Sequence, residues 1–245
     1  GYDNIDLNSL KSNNITLAIT AKANAISVAE HVMFMILSIS KGIDMYDASV
    51  RKGQFLKKDK YNKTFELWKK NFLIAGFGRV GKILTKMCLG FEMNVFVYDP
   101  FVDKKTIESF GAIKINDLNE SLQEMDYVSI HMPLNKETKN LINLSNLKTM
   151  KKSSVIINTS RGGIINEKDL DIALNTGLIF GAGLDVFEKE PLDTDNPLLK
   201  NKKVLLSPHS STFTEECTVR MGKETIQNII DFFEHKLDRS MVVKL

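Results

Sequence analysis

Short apolar runs and longer amphipathic stretches alternate along most of this chain. Each apolar run, such as residues 72–75, has the length of a strand buried on both faces. The stretches between the runs carry apolar residues at helical spacing. The predicted strands are residues 71–76, 94–99, 112–115, 127–132, 154–160, 182–186 and 204–208, and the predicted helices between them are 79–90, 103–110, 117–124 and 167–175. This order predicts an α/β fold with a doubly wound parallel sheet covered by helices on both faces.

The two ends of the chain depart from this alternation. Residues 1–24 have the pattern of a turn, a short helix at 7–13 and a strand at 15–19. Three such pieces are too small to bury a core by themselves. The remaining predicted elements are a long buried helix at 25–41 capped by Asn24, a polar, lysine-rich surface segment at 42–70, and a last helix at 215–235.

Residues 76–81 fit the pattern G-x-G-x-x-G directly after the first buried strand and at the start of a helix. In a dinucleotide-binding unit, Gly76 permits the tight turn, Gly78 lets the backbone approach the pyrophosphate, and Gly81 lets the helix pack closely on the strand. The helix N-terminus then offers N–H groups and its positive dipole end to the phosphates. Clustered glycines also occur in ordinary turns, but Asp99 ends the next strand about 20 residues later, where a ribose-binding carboxylate belongs. The combination predicts dinucleotide binding.

Polar residues follow the later predicted strands, at residues 131–138, 158–163, 185–191 and 207–212. Ligands of doubly wound sheets bind beyond the carboxyl ends of the strands, so these segments are where chemistry is expected. They bring an arginine, two acids and a histidine to the edge at which the glycines lie. A lone arginine in a glycine turn is usually a surface residue, and a lone histidine after proline is usually a turn residue. Their joint placement favours a catalytic site.

Composition excludes several classes of function. Charged residues make up 26% of the chain and the net charge is +3, with scattered lysines, so neither nucleic acid nor a membrane is an expected partner. The apolar stretch at 25–40 is too short to span a bilayer, and no secretory signal opens the chain. Cys88 and Cys217 lack metal-ligand company, so no metal is predicted, and reduced thiols suit a cytoplasmic protein. The first residue is Gly1 rather than Met, which predicts that the chain derives from a longer one.

The segments GFGRVG, YDP, HMPLNKETKNLIN, NTSRGGIINEKDL, GAGLDVFEKEPL and SPHSSTFTEE, in this order, resemble the D-isomer-specific 2-hydroxyacid dehydrogenases. The resemblance covers essentially the whole chain and is greatest to the D-3-phosphoglycerate dehydrogenase and hydroxypyruvate reductase branch. It implies an NAD-dependent oxidoreductase that transfers a hydride between nicotinamide and a small D-2-hydroxy or 2-keto acid. It also implies a homodimer.

The resemblance implies a role for individual residues of this chain. Arg161 matches the arginine that binds the substrate carboxylate and carbonyl oxygen, which a forked, permanently charged guanidinium suits. His209 matches the general acid and base, and Glu190 matches the carboxylate that orients its imidazole and favours the imidazolium. The implied cofactor-binding residues are Gly76, Gly78, Arg79, Val80, Gly81, Asp99, Met132, Pro133, Thr138, Thr159, Ser160, Arg161, Asp185, His209 and Ser211.

Four other titratable residues are expected outside these roles or as rivals for them. Glu188 is a rival to Glu190, although the family spacing favours the acid directly before proline. His131 is expected only to line the site. His31 and His235 are expected on helices away from that edge, in structural or solvent-facing positions.

The resemblance also divides the chain. Residues 1–24 are expected to be the remnant of a flavodoxin-like substrate domain, 25–212 the NAD-binding domain, and 213–245 a helix and strand that return to the substrate domain. A chain that lacks part of its substrate domain is expected to be inactive by itself and to expose an apolar face of its last helix. That face comprises Phe213, Val219, Met221, Ile226, Ile229, Ile230 and Phe233.

A different class of function shares this scaffold. The C-terminal-binding-protein corepressors also resemble the family and retain similar residues, so an NAD(H)-sensing regulatory protein is the alternative to an enzyme. Turnover of hydroxypyruvate distinguishes the two hypotheses.

Overall fold

The computed structural model describes residues 1–2, 4–56 and 63–245. They divide into two compact units, a smaller one of Gly1–Ser27 with Thr212–Leu245 and a larger one of Val28–Ser211. The division predicted from the sequence, at 24/25 and 212/213, stays a prediction. All the predicted site residues lie in the larger unit.

The larger unit is built on a parallel sheet, which has seven strands among the described residues. The strands are β1 Asn71–Ala75, β2 Asn94–Tyr98, β3 Ile113–Ile115, β4 Tyr127–Ile130, β5 Val155–Asn158, β6 Gly181–Leu184 and β7 Val204–Leu206. Their order is β3-β2-β1-β4-β5-β6-β7, and every neighbouring pair is parallel. This confirms the predicted Rossmann-type, doubly wound sheet. The order reverses between β1 and β4, which marks the carboxyl ends of these strands as the place where ligands bind.

The α-helices in the described residues are α1 Leu7–Ser12, α2 Ala25–Lys41, α3 Ile43–Arg51, α4 Arg79–Gly90, α5 Lys104–Glu108, α6 Leu118–Ser121, α7 Leu144–Thr149, α8 Glu167–Thr176 and α9 Glu215–Phe233. Short 3-10 helices span Leu122–Glu124, Pro197–Lys200 and Arg239–Met241. No single helix among the described residues has the length and apolarity to cross a bilayer; α2 and α3 qualify only as a pair bent by 62°.

Alternate strand residues build two cores, one on each face of the sheet. Phe72 and Ile74 of β1 are fully buried on the face covered by α2, α4 and α5. Leu73, between them, is fully buried on the opposite face against α6, α7 and α8. Successive strand side chains point to opposite faces, so strands that are apolar throughout are buried on both. The apolar runs of the sequence thus predicted this sheet correctly.

Two helices lie where the sequence predicted none. α3 falls in the polar, lysine-rich segment predicted to cross the surface. Only Ser49 of its residues is buried, and apolar residues such as Ile43 and Val50 face solvent instead of a core. α7 is too short to show a period. It is defined instead by its cap: the Asn143 side chain accepts from the Ser145 amide at 2.9 Å, and the Asn143 amide donates to Asn146 at 3.0 Å.

The strand predicted at residues 15–19 of the smaller unit is wrong. Only Ala18 pairs there, through a single antiparallel bridge to Val242. The backbone bonds around it join Ile19 to Met241 and Val243 to Leu17, and no further partner extends the ladder among the described residues. An apolar run without a neighbouring strand does not form a strand.

The helix α9 of the smaller unit presents much of its apolar surface to solvent. Ile226 is 61% exposed and Phe233 is 75% exposed, whereas Cys217 is buried. Of the face predicted from the sequence, Phe213, Val219, Ile226, Ile229, Ile230 and Phe233 are exposed and Met221 is partly buried. The start of α9 is fixed within its own unit, where Arg220 donates to the Ala23 carbonyl at 2.9 Å and to Ser27.

Candidate active site

The glycine loop, residues 76–81, connects β1 to α4 at the switch point of the sheet. Gly76 has φ +107, a conformation that side chains rarely adopt, and a Cβ there would lie 2.5 Å from the His131 carbonyl oxygen. A Cβ on Gly81 would lie 2.3 Å from the Gly76 carbonyl oxygen. Both positions therefore need glycine so that α4 can start close against β1 and β4.

Gly78 differs from the other two glycines of the loop. Its φ is −72, and a Cβ added there would meet nothing within 4 Å. It is the N-cap of α4 and provides no side-chain hydrogen bond, so the first amide groups of the helix, from Arg79 and Val80 on, face the space beside it. The absence of a side chain here serves no packing purpose. It leaves room for an anion at a helix N-terminus.

Asp99 follows β2 and lies next to the glycine loop. Its Oδ2 accepts from the Phe77 amide at 2.7 Å and its Oδ1 from the Phe101 amide at 2.9 Å. Each oxygen of an ionised carboxylate can accept a further bond. The carboxylate is thus held at the edge in the position from which a ribose hydroxyl can be bound.

The segment after β4 forms a closed turn. Met132 is 9% exposed and lies against the core. The Thr138 hydroxyl donates to the Pro133 carbonyl at 2.6 Å and accepts from the Asn135 amide at 2.9 Å. These bonds give Thr138 a structural function in addition to the cofactor contact predicted for it.

The segment after β5 carries Arg161. The Asn158 side chain fixes the backbone of this segment: it accepts from the Ser160 amide at 3.0 Å and donates to the Arg161 carbonyl at 2.8 Å. A Cβ on Gly162 would lie 1.8 Å from the Phe187 carbonyl oxygen, so this turn is in direct backbone contact with the segment after β6. Asn158 was not among the predicted site residues, although its amide sets the shape of the turn that presents Arg161.

His209 and Glu190 meet after β7 and β6. Glu190 Oε2 lies 2.8 Å from His209 Nδ1, and its Oε1 accepts from the Phe187 amide at 2.9 Å. Glu188 instead accepts from the Glu167 amide at 3.1 Å, at the start of α8. The geometry thus pairs the imidazole with Glu190 rather than with its rival. His209 has φ +53, an uncommon conformation for a residue with a side chain.

Asp185, at the end of β6, is completely buried and organises the serine turn, residues 207–211. Its Oδ1 accepts from the Ser207 hydroxyl at 2.5 Å and the Ser210 amide at 2.8 Å. Its Oδ2 accepts from the Ser211 amide at 3.0 Å, the one bond to that oxygen among the described residues. The second oxygen therefore retains capacity for another donor.

The prediction that His31 lies away from this edge is wrong. His31 Nε2 lies 2.9 Å from Ser207 Oγ and 3.8 Å from Asp185 Oδ1. Helical spacing showed that α2 is buried but could not show which strand ends its residues approach. Burial lowers the pKa of His31, against the opposing effect of the Asp185 carboxylate. His235 lies in the smaller unit, just beyond α9, and is exposed.

His131, after β4, is a second partly buried imidazole. Its Nε2 lies 2.8 Å from Ser129 Oγ, and burial lowers its pKa to about 3. It is therefore neutral at ordinary pH, in keeping with a lining function rather than proton transfer.

The chemistry of the edge fits a nicotinamide dinucleotide. Thr159 Oγ1 is buried and has no hydrogen-bond partner among the described residues, although a buried hydroxyl is normally satisfied. It follows β5, beside the strand end that carries Asp185 with its remaining acceptor capacity. At the other end of the edge, the room beside Gly78 lies next to Asp99. A dinucleotide would satisfy the polar groups at both ends.

Comparison with known proteins agrees with this geometry. Residues 33–211 match a family model described as the NAD-binding domain of D-isomer specific 2-hydroxyacid dehydrogenases. The D-3-phosphoglycerate dehydrogenase of Archaeoglobus fulgidus is 37% identical over 231 residues, which are 94% of this chain and 43% of that protein. The glyoxylate reductase of Thermococcus litoralis is 34% identical over 249 residues, which are 100% of this chain and 75% of that protein.

A solved structure shares the fold. The D-lactate dehydrogenase of Aquifex aeolicus, complexed with NAD and lactic acid, is 30% identical and superposes with a TM-score of 0.86 over 96% of this chain and 74% of that one. The chain thus spans less than half the length of the phosphoglycerate dehydrogenase, at 43%, and about three quarters of the other two. All three relatives are named as enzymes, which favours the catalytic interpretation over the regulatory one.

Proposed function

The chain belongs to the D-isomer specific 2-hydroxyacid dehydrogenases, and on that premise we propose that its protein transfers a hydride between NAD(H) and a D-2-hydroxy or 2-keto acid. The matching domain of this family binds NAD. The proposed substrate class is that of 3-phosphoglycerate and hydroxypyruvate, on the basis of the sequence resemblance to that branch.

The residues of the larger unit would hold the cofactor along the sheet edge. The amide groups at the start of α4, from Arg79 and Val80 on, would bind the pyrophosphate, and Asp99 the adenosine ribose. At the far end, Asp185 Oδ2 and the Thr159 hydroxyl would bind the nicotinamide carboxamide, with Ser211 beside them. When bound, NAD(H) supplies or accepts the hydride, and the remaining chemistry belongs to the side chains.

Arg161 would bind the substrate carboxylate and carbonyl oxygen. Its guanidinium cannot lose its charge in the working pH range and presents parallel donors to a planar anion. The Asn158 amide holds the backbone on both sides of Ser160, which places the arginine at the strand end rather than in solvent. Binding of this kind orients the carbonyl carbon for attack, which is a large part of the catalytic effect.

His209 would move the proton. Glu190 accepts only, so Nδ1 carries a proton toward it and Nε2 is the nitrogen that exchanges a proton with the substrate oxygen. In the direction of reduction, the imidazolium gives the Nε2 proton to the carbonyl oxygen as the hydride reaches the carbonyl carbon. In the direction of oxidation, the neutral ring takes the hydroxyl proton back. Glu190 fixes the orientation of the ring through its contact with Nδ1.

The observation that carries this proposal is the contact of Glu190 with His209 on the edge shared with the glycine loop. Its test is the turnover of NADH with hydroxypyruvate or glyoxylate by the native protein and by Glu190→Gln. We expect the variant to be slower, because the amide does not replace the carboxylate that accepts from His209 Nδ1 and fixes the orientation of the imidazole. Glu188→Gln is the matched control, since Glu188 contacts the start of α8 instead. Equal effects of the two substitutions would contradict the proposal.

Homodimeric assembly and a cytoplasmic location belong to the same proposal. Phe34 of α2 and Ile43 and Val50 of α3 are each about half exposed, at 54%, 51% and 53%, and exposed apolar surface favours association. Cys88 and Cys217 are both buried and unpaired, which suits a reducing compartment. Sedimentation equilibrium of the native protein tests the dimer, and a monomer at micromolar concentration would contradict it.

A further inference from the structure

The His31 imidazole, on α2, reaches the serine turn from a distant part of the sequence. It joins a chain of polar groups that runs from His31 through Ser207 to Asp185. The family-based roles assigned above include Asp185 but neither His31 nor Ser207. All three lie in the larger unit.

Donor and acceptor counting fixes the direction of this chain. The Asp185 carboxylate can only accept, so the Ser207 hydroxyl uses its single proton to donate a hydrogen bond to Asp185 Oδ1. Ser207 Oγ has no second proton for His31, so the bond of 2.9 Å between them requires a proton on His31 Nε2. The neutral ring can carry its one N–H at that nitrogen. Burial, which lowers the pKa of His31, leaves the ring in that neutral state without breaking the bond.

The same chain ends on the turn that carries His209. Asp185 binds the Ser210 and Ser211 amides just after His209, and the Ser207 hydroxyl just before it. His209 itself has the strained φ of +53 and donates its amide to the Ser207 carbonyl at 3.0 Å. The contacts on both sides hold the turn in this conformation. A displacement of the Asp185 carboxylate would therefore change both the position of the His209 imidazole and the site for the carboxamide end of the cofactor.

We propose that His31 is a positioning residue that donates its Nε2–H to Ser207 and thereby fixes the Asp185 carboxylate and the serine turn. The part of the proposal that concerns the cofactor rests on the proposed function. The part that concerns the serine turn holds for the protein without cofactor. Without the donor, Ser207 and Asp185 can take other arrangements, because a buried acceptor that loses its partner costs the full penalty of its desolvation.

The test compares His31→Leu, which lacks the donor, with His31→Gln, whose amide can place a donor near the same point. Two quantities are measured: hydrogen exchange of the Ser210 and Ser211 amides in the protein without cofactor, and the Kd of NADH by fluorescence. For His31→Leu we expect exchange faster by about tenfold and binding weaker by about tenfold, the usual effect of losing one partner of a buried hydrogen bond to a charged network. His31→Gln should retain most of the protection from exchange and most of the affinity for NADH. Glu30→Gln, at the neighbouring exposed position of α2, is the control for changes in the helix.

Several results would overturn the proposal. They are unchanged exchange in His31→Leu, weaker NADH binding without faster exchange, and a His31→Gln variant as impaired as His31→Leu. If His31→Leu does not fold, Ser207→Ala breaks the same chain at its centre, and unchanged exchange at Ser210 and Ser211 in that variant counts against the proposal equally. Failure of the wild-type protein to bind NADH would refute the proposed function, while the exchange measurement would still decide the role of His31.

Discussion

At the β1 and β2 end of the sheet edge the backbone itself shapes the site, whereas beyond β5, β6 and β7 side chains from separate loops do so. The glycine loop is determined by a positive φ at Gly76 and by a close approach at Gly81. The catalytic end depends on bonds between residues far apart in sequence, such as Glu190 with His209 and His31 with Ser207. The first arrangement is a property of a short segment, and the second exists only in the folded protein.

This difference has a consequence for substitution. A change in the glycine loop acts on the backbone and should damage fold and cofactor binding together. A change at the catalytic end removes one side-chain bond and should reduce function while leaving the sheet intact.

The largest effect is expected for Gly81→Ala. The new Cβ would lie 2.3 Å from the Gly76 carbonyl oxygen, so α4 or β1 must move. We expect the free energy of unfolding to fall by about 2–3 kcal/mol and NADH binding to be lost. Urea denaturation and a fluorescence titration measure the two quantities.

Gly90→Ala, at the other end of α4, is the control for Gly81→Ala. A Cβ at Gly90 meets nothing within 4 Å, so the same substitution should leave stability unchanged or raise it by less than about 1 kcal/mol. Equal losses in the two variants would contradict close packing at Gly81 as the cause, because helix propensity favours alanine at both positions.

Gly78→Ala separates the two functions of the glycine loop. No atom lies within 4 Å of the added Cβ, so stability should hardly change. The methyl group would occupy the room into which a pyrophosphate fits, and we expect NADH to bind about tenfold more weakly or worse. Unchanged affinity would mean that the cofactor does not approach the backbone at this residue.

The sequence predicted the parallel sheet because its strands are apolar throughout, and the glycine loop because its spacing is local. It did not predict α3, which has almost no buried face, or α7, which is defined by one capping residue. The placement of His31 was wrong because helical period reveals a buried face but not the strand end that it approaches. Glu190 and Glu188 could be ranked only by resemblance, since the choice depends on how the loop after β6 turns.

Cofactor preference is expected to follow from Asp99. The carboxylate would bind a ribose 2′-hydroxyl and repel a 2′-phosphate, so NADH should bind tighter than NADPH by about tenfold or more. Pro100 and Phe101 follow it, and neither offers the phosphate a positive partner. Asp99→Ala should reduce the difference between the affinities for NADH and NADPH. Parallel titrations decide the matter, and tighter binding of NADPH by the wild type would refute the prediction.

The smallest expected effect concerns pH and His131, which lies between the two ends of the edge. Its pKa in the folded protein is about 3, below the ordinary value of 6.5, so folding favours the neutral ring. The stability that His131 contributes is therefore fully present at pH values above about 6.5, and it is lost as the pH falls from about 6.5 toward about 3. We expect His131→Gln to flatten the acid decline in the free energy of unfolding by on the order of 1 kcal/mol near about pH 4, allowing for the partial exposure of the ring.

The matched control for that pH series is His235→Gln, at an exposed position of the smaller unit. The free energy of unfolding of this variant should fall at acid pH as that of the wild type does, since carboxylates that titrate in the same range are common to all three proteins. A decline in His131→Gln as steep as in the wild type would show that this ring is protonated as easily in the folded chain as in the unfolded one.

The proposed reaction depends most on His209 as the proton carrier of an NAD-dependent dehydrogenase. The direct measurement is steady-state oxidation of NADH with hydroxypyruvate by the native protein and by His209→Ala, together with the Kd of NADH for each. We predict that kcat falls by about 10² to 10⁴, the range for a positioned acid–base group, and that this loss is much larger than any loss of affinity for NADH. Full turnover by His209→Ala would contradict the account.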